Sequence, residues 1–142
     1  MELAVNEPQI HWRAAAEAVA AAVEEAAAQG IKINAAVVDR GGNLLAFQRM
    51  NGAFLHSIGI AIDKAYTSAG FGFPTGQWMD VIRDVPQMRE GIVHRDRLVI
   101  FGGGLPIVKD DQVIGAIGVS GGSETQDEIC AKAGLKAIGL LD

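Results

Sequence analysis

The chain has a single cysteine, Cys130, so it can form no internal disulfide and no CxxC redox or metal pair. It has no run of lysine or arginine, and its formal net charge is −5, which excludes an electrostatic footprint for nucleic acid. No stretch of eighteen uncharged apolar residues occurs, so no membrane partner is expected. "MELAVNEPQI" has neither the basic start nor the apolar core of a signal peptide, and a cytoplasmic location is expected. Aromatics are scarce: two tryptophans, one tyrosine and five phenylalanines leave no apolar slot for a large macrocycle visible in the sequence. Prolines number four against eighteen glycines, which points to tight turns and close backbone contacts.

What is present fits one domain over residues 1–142, since 49% of the residues are apolar and 20% charged. Asn6, with Gln9 three residues on, reads as a helix cap, and the alanine-rich run then continues to Gln29 and stops at Gly30. "IKINAAVVD" and "LLAFQRM", separated by Gly-Gly-Asn, read as a hairpin over roughly 31–39 and 44–50. Residues 54–70 show helical spacing, with Phe54, Leu55, Ile58, Ala61, Ile62, Ala65 and Ala69 as the apolar side. His56, Ile60, Asp63, Lys64 and Thr67 form the opposite face. Short helical turns are expected at Thr75–Val81 and Pro86–Glu90. "RLVIF", "LPIVK" and "QVIGAIGVS" read as three more strands, the last two joined by an Asp110-Asp111 turn. Ser123, with Gln126, caps a final helix. Strands joined by short turns must be antiparallel. The expectation is an α+β sandwich with a five-stranded, mostly antiparallel sheet and helices on its faces.

Two glycine clusters invite a ligand. "GAIGVSGGSETQDEIC" runs from a strand through Gly121 and Gly122 into a helix, but it lacks the spacing of a dinucleotide fingerprint. No Lys-Ser or Lys-Thr pair exists to make a P-loop. A glycine loop entering a helix still exposes backbone N–H groups that suit a carboxylate or phosphate. The candidate ligand-binding residues are therefore Gly102, Gly103 and Gly104 in "FGGGLP", and Ser120, Gly121 and Gly122 in the second cluster. Tight turns and a sheet kink explain either cluster equally well.

"VVDRGGNLLAFQRMNGA", "IAIDKAYTSA", "FGGGLPI" and "VIGAIGVSGG…QDEICAKAGL" resemble, in order and over nearly the whole chain, the family that includes GlcG, HbpS and the C-terminal domain of PduO. The resemblance implies a profilin-like α/β/α domain that assembles into symmetric homo-oligomers, an octamer among them. It also implies company with catabolic enzymes and, in some members, binding of haem or cobalamin-related ligands. Where the family commonly has proline before the double glycine, this chain has Phe101, which changes the local turn.

The candidate catalytic residues are Arg49, His56 and Lys64. Arg49 ends a strand, and His56 and Lys64 lie eight residues apart on the second helix. The three could form a cationic corner for a carboxylate, with His56 as acid or base. A solvated helix face carrying Asp63 and Lys64 is the plainer alternative. His11, beside Trp12, is either an axial haem ligand or a surface histidine, and His94 reads as exposed. No two histidines are three to five residues apart, so no metal site is expected. Asp39 suits a turn, Asp127 and Glu128 suit the helix dipole, and Cys130 suits packing. The first functional expectation is a small enzyme acting on a carboxylate-bearing intermediate by hydrolysis or deamination. The alternatives are a haem- or tetrapyrrole-binding protein and a non-catalytic small-ligand sensor.

Overall fold

The computed structural model describes residues 1–141. Helix α1 (Trp12–Gln29) leads to strands β1 (Asn34–Asp39) and β2 (Leu44–Arg49), then helix α2 (His56–Phe71). A 3-10 turn (Thr75–Gln77) runs into two short helices, α3 (Trp78–Ile82) and α4 (Pro86–Gly91), and a second 3-10 turn covers Ile92–His94. Strands β3 (Gly104–Lys109) and β4 (Gln112–Ser120) and helix α5 (Glu124–Ala137) complete the order. The sheet is antiparallel throughout, in the order β2-β1-β4-β3.

Strand alternation sorts the sheet into two unlike faces. Ala35 and Val37 of β1, Leu105 and Ile107 of β3, and Ile117 and Val119 of β4 form the main core with α1 and α5. The other face is made of small side chains, and α2 lies on it through a minor cluster of Val38, Ala65 and Ala116. Gly118 sets the approach of α2: a Cβ there would meet the Ala61 carbonyl oxygen and come within 2.6 Å of Ala65 N. Only a residue without a side chain lets α2 sit this close.

Several local expectations hold. Ser123 and Gln126 form a reciprocal capping box on α5. Gly30 closes α1 in the left-handed conformation, at φ 72°. Asp110 and Asp111, both at positive φ, make the two-residue turn of the β3–β4 hairpin.

Three expectations fail. The sheet has four strands, because "RLVIF" pairs with a helix side chain instead of a strand. Thr67 Oγ1 on α2 accepts from Val99 N (3.0 Å) and donates to the Arg97 carbonyl (2.9 Å), and Arg97 itself stands at φ 62°. The first helix is capped by His11, whose Nδ1 accepts from Arg13 N, and not by Asn6. Gln9 is drawn off to accept from Arg40 N (2.7 Å), and Ile10 N donates to the Ile114 carbonyl (2.9 Å). The buried stripe of α2 is Ser57, Ala61, Lys64, Ala65, Thr67 and Ser68, while Phe54 and Leu55 just ahead of it are exposed. A glycine- and alanine-lined sheet face accepts small residues and leaves no room for Phe54 or Leu55.

Candidate functional site

Lys64 lies in the interior at 1% exposure, and its ammonium donates to the Val119 carbonyl (2.8 Å) and to Asp127 Oδ2 (3.2 Å). Asp127, on the first turns of α5, is 2% exposed. Its other oxygen, Oδ1, accepts from Gly122 N at 2.8 Å. The two glycine clusters therefore converge on one buried ion pair. A Cβ at Gly103 would come within 2.6 Å of Lys64 Nζ, and the Phe101 ring centroid stands 5.2 Å from the same nitrogen.

The loop N–H groups do bind carboxylates, but those carboxylates belong to the chain. Gly102 N donates to Glu124 Oε1 (2.6 Å) and Gly122 N to Asp127, while Gly104 N donates to Thr75 Oγ1 (2.8 Å). The expectation of N–H groups free for a ligand at Gly102, Gly104 and Gly122 is corrected accordingly. Asp127 is likewise more than a dipole partner for its helix. The sequence carried a faint signal for it: Asp127 follows a glycine loop by one helical turn, and Lys64 shares its helical line with Ser57, Ala61 and Ser68.

Arg49, His56 and Lys64 are not brought into one open corner. Eight residues along a helix leave His56 and Lys64 about 80° apart around the axis, and His56 is exposed while Lys64 is buried. Arg49 is exposed and its Nη2 donates to the Ala53 carbonyl (2.8 Å). Among the described residues, no hydrogen bond or ion pair joins Arg49 or His56 to Lys64. Ser120 is buried opposite Asn34 in the β1–β4 register. His94 is exposed and Cys130 buried, as expected, and Asp39 accepts from Asn43 N across its turn.

Burial dominates the ionisation of the pair. It lowers the Lys64 pKa from its ordinary 10.5, with the Asp127 charge and hydrogen bond and the Glu124 charge opposing. It raises the Asp127 pKa from 3.8, with the Lys64 charge and the Gly122 hydrogen bond opposing. The raised carboxyl contributes stability that is complete below 3.8 and lost as pH rises through its folded value. The lowered ammonium contributes stability that is complete above 10.5 and lost as pH falls through its folded value. Holding both groups charged therefore costs most between those limits. A Lys64→Met/Asp127→Asn variant, which titrates at neither position, is expected to differ most favourably from the wild type in mid-range. That pH-dependent advantage should fade toward about pH 4 and about pH 10 in urea titrations. A pH-independent difference rules this out.

On the opposite face of the sheet, a cavity of about 300 Å³ is lined by Ile10, His11, Ala14, Ile114, Ile138 and Leu140, with Lys109 at its edge. His11 Nδ1 serves the helix cap, which leaves Nε2 as its second nitrogen. The Trp12 ring lies 5.6 Å from the imidazole.

Comparison with known proteins gives a consistent picture. Residues 10–136 match the family described as "Haem degrading protein HbpS-like". An uncharacterized 15.0 kDa protein from the dhaT-dhaS intergenic region of Citrobacter freundii is 40% identical, over 90% of this chain and 92% of its own length. The crystal structure of Klebsiella pneumoniae protein ORFY superposes with a TM-score of 0.90 at 33% identity, covering 100% of this chain and 99% of that one. Streptomyces reticuli HbpS, as a double mutant, gives 0.87 at 31% identity over 96% and 91%. A PduOC:haem complex gives 0.81 at 28% identity over 92% and 96%.

Proposed function

From the premise that the chain belongs to the HbpS-like family, we propose that it binds haem or a related tetrapyrrole, with His11 as the axial ligand. The observation that carries this reading is the likeness to PduOC, whose structure holds haem. The residues present fit such a group: one imidazole, apolar walls from Ile10, Ile114, Ile138 and Leu140, and Lys109, now paired with Asp110 at 3.1 Å, to meet a carboxylate. Bound, the macrocycle would supply the redox chemistry, and the chain would supply the ligand, the dry wall and the cation. The cavity holds about 300 Å³, so it suits one edge of a macrocycle. A second copy of the chain would cover the remainder, and self-association would also bury exposed Phe54 and Leu55.

The hydrolytic or deaminating enzyme, the first expectation from the sequence, has less behind it than its haem-binding alternative. His56 is exposed, and the loop N–H groups of Gly102 and Gly122 already serve Glu124 and Asp127.

The test separates ligation from folding. Neutral imidazole has one bare nitrogen, so ligating iron through Nε2 would move the ring proton to Nδ1 and release Arg13 N from the α1 cap. His11→Ser keeps a capping oxygen and removes the ligand. Wild-type protein titrated with haemin should give a stoichiometric Soret shift, and His11→Ser should lose the shift while keeping its helical signal. A shift that survives His11→Ser moves the ligand elsewhere, and no stoichiometric binding ends the reading. Sedimentation of the same sample reads association: a 14.9 kDa species at micromolar concentration ends that part.

A further inference from the structure

A second cavity of about 300 Å³ lies beside α2, on the sheet face opposite His11, with Tyr66, Phe71, Ile92, Arg95, Arg97 and Leu98 in its wall. Its cationic side is built with care. The Arg97 guanidinium stacks on the Tyr66 ring, with its central carbon 3.6 Å from the centroid, and Nε donates to Asp63 Oδ1 at 3.1 Å. The Tyr66 ring in turn packs on Gly42, where a Cβ would come within 2.7 Å. Behind the guanidinium, the backbone of Arg97 is held in the left-handed region at φ 62°. Buried Thr67 keeps it there by taking the Arg97 carbonyl and Val99 N together.

A non-glycine residue in this conformation, fastened by a buried hydroxyl and braced on two sides, is a side chain fixed in place. Asp63 uses only Nε, so both Nη groups keep their N–H donors in the fork that matches a carboxylate. Arg95 adds a second cation, and among the described residues it has no ion-pair partner. Phe71, Ile92 and Leu98 supply apolar wall on the same cavity. Asp96, also in the wall, opposes a negative ligand.

We propose that this cavity binds a small monocarboxylate with an apolar body, its carboxylate on the Nη fork of Arg97 and its body against Phe71, Ile92 and Leu98. The site is independent of the haem reading and shares no residue with the His11 cavity.

The test is calorimetric titration of the full chain with phenylacetate, its neutral isostere phenylacetamide, and haemin as competitor. Phenylacetate should saturate one site per chain at concentrations below about 10 mM, and the amide should bind at least about 10-fold more weakly. Arg97→Gln should weaken phenylacetate by at least about 10-fold, whereas Asp96→Asn should tighten it by a few-fold. Both side chains are at the surface, so thermal melts should stay close to wild type. His11→Ser should leave phenylacetate binding unchanged, which keeps the two sites distinguishable. Equal binding of acid and amide, indifference to Arg97→Gln, or displacement of phenylacetate by haemin each overturns the proposal.

Discussion

Lys64→Met is expected to destabilise the protein by about 3–5 kcal/mol, the range for breaking a buried ion pair by removing one partner. That is a large fraction of the whole stability of a typical domain, about 5–15 kcal/mol. The reason lies in what the substitution leaves behind. Asp127 stays at 2% exposure with only the backbone N–H groups of Gly122 and Gly121 beside it, and Val119 loses the donor on its carbonyl. Asp127→Asn should also be costly, because it strands the Lys64 ammonium on the Val119 carbonyl alone. Combining the two removes both charges and keeps an oxygen for Gly122 N. The pair should therefore cost well below the sum of the singles, with a coupling of about 2–3 kcal/mol. Urea unfolding of the four proteins measures this. Singles that each cost less than about 1 kcal/mol would mean that Lys64 reaches water when Asp127 is lost.

Gly118→Ala carries the second large effect. One methyl group would enter the line between β4 and α2, against the Ala61 carbonyl, Ala65 N at 2.6 Å and Lys64 Cβ at 3.1 Å. Two of these atoms are backbone, so no rotamer change relieves the contact and α2 must lift. Overpacking costs about 1–3 kcal/mol, and this case belongs at or above the upper end because lifting α2 also draws Lys64 away from Asp127. Gly59→Ala in the same helix is the control. Nothing lies within 4 Å of its added Cβ, and replacing a helical glycine there should stabilise by about 0.5–1 kcal/mol. Thermal melts of both variants give the comparison. Equal small shifts would show that α2 floats on the sheet and is not held at contact.

The haem reading and the carboxylate cavity use opposite faces of one sheet, and the small-residue face explains why. Large apolar side chains concentrate between the sheet, α1 and α5. On the α2 side, glycine and alanine bring a helix close enough for its lysine to reach through to α5.

What the sequence determined by itself is local. Ser123 and Gln126 lie three residues apart and can satisfy each other without help, so the capping box could be read directly. The same holds for Gly30 after α1 and for Asp110-Asp111 between two apolar runs, where backbone conformation follows from a few neighbouring residues. The family motifs belong here too, since they needed only residue order.

Tertiary structure decided everything that depends on a partner far along the chain. Helical periodicity placed Lys64 on a polar face, and only α5, 63 residues later, turns that face inward by supplying Asp127. Residues 97–101 have strand-like composition, yet Thr67, some thirty residues earlier, takes the N–H and carbonyl that a strand would need. Asn6 and Gln9 had the spacing of a cap, but β4 and the β1–β2 turn claimed Ile10 and Gln9 first, leaving the cap to His11. In each case a donor or acceptor had two possible partners, and the one that won was brought near by packing, which sequence spacing does not encode.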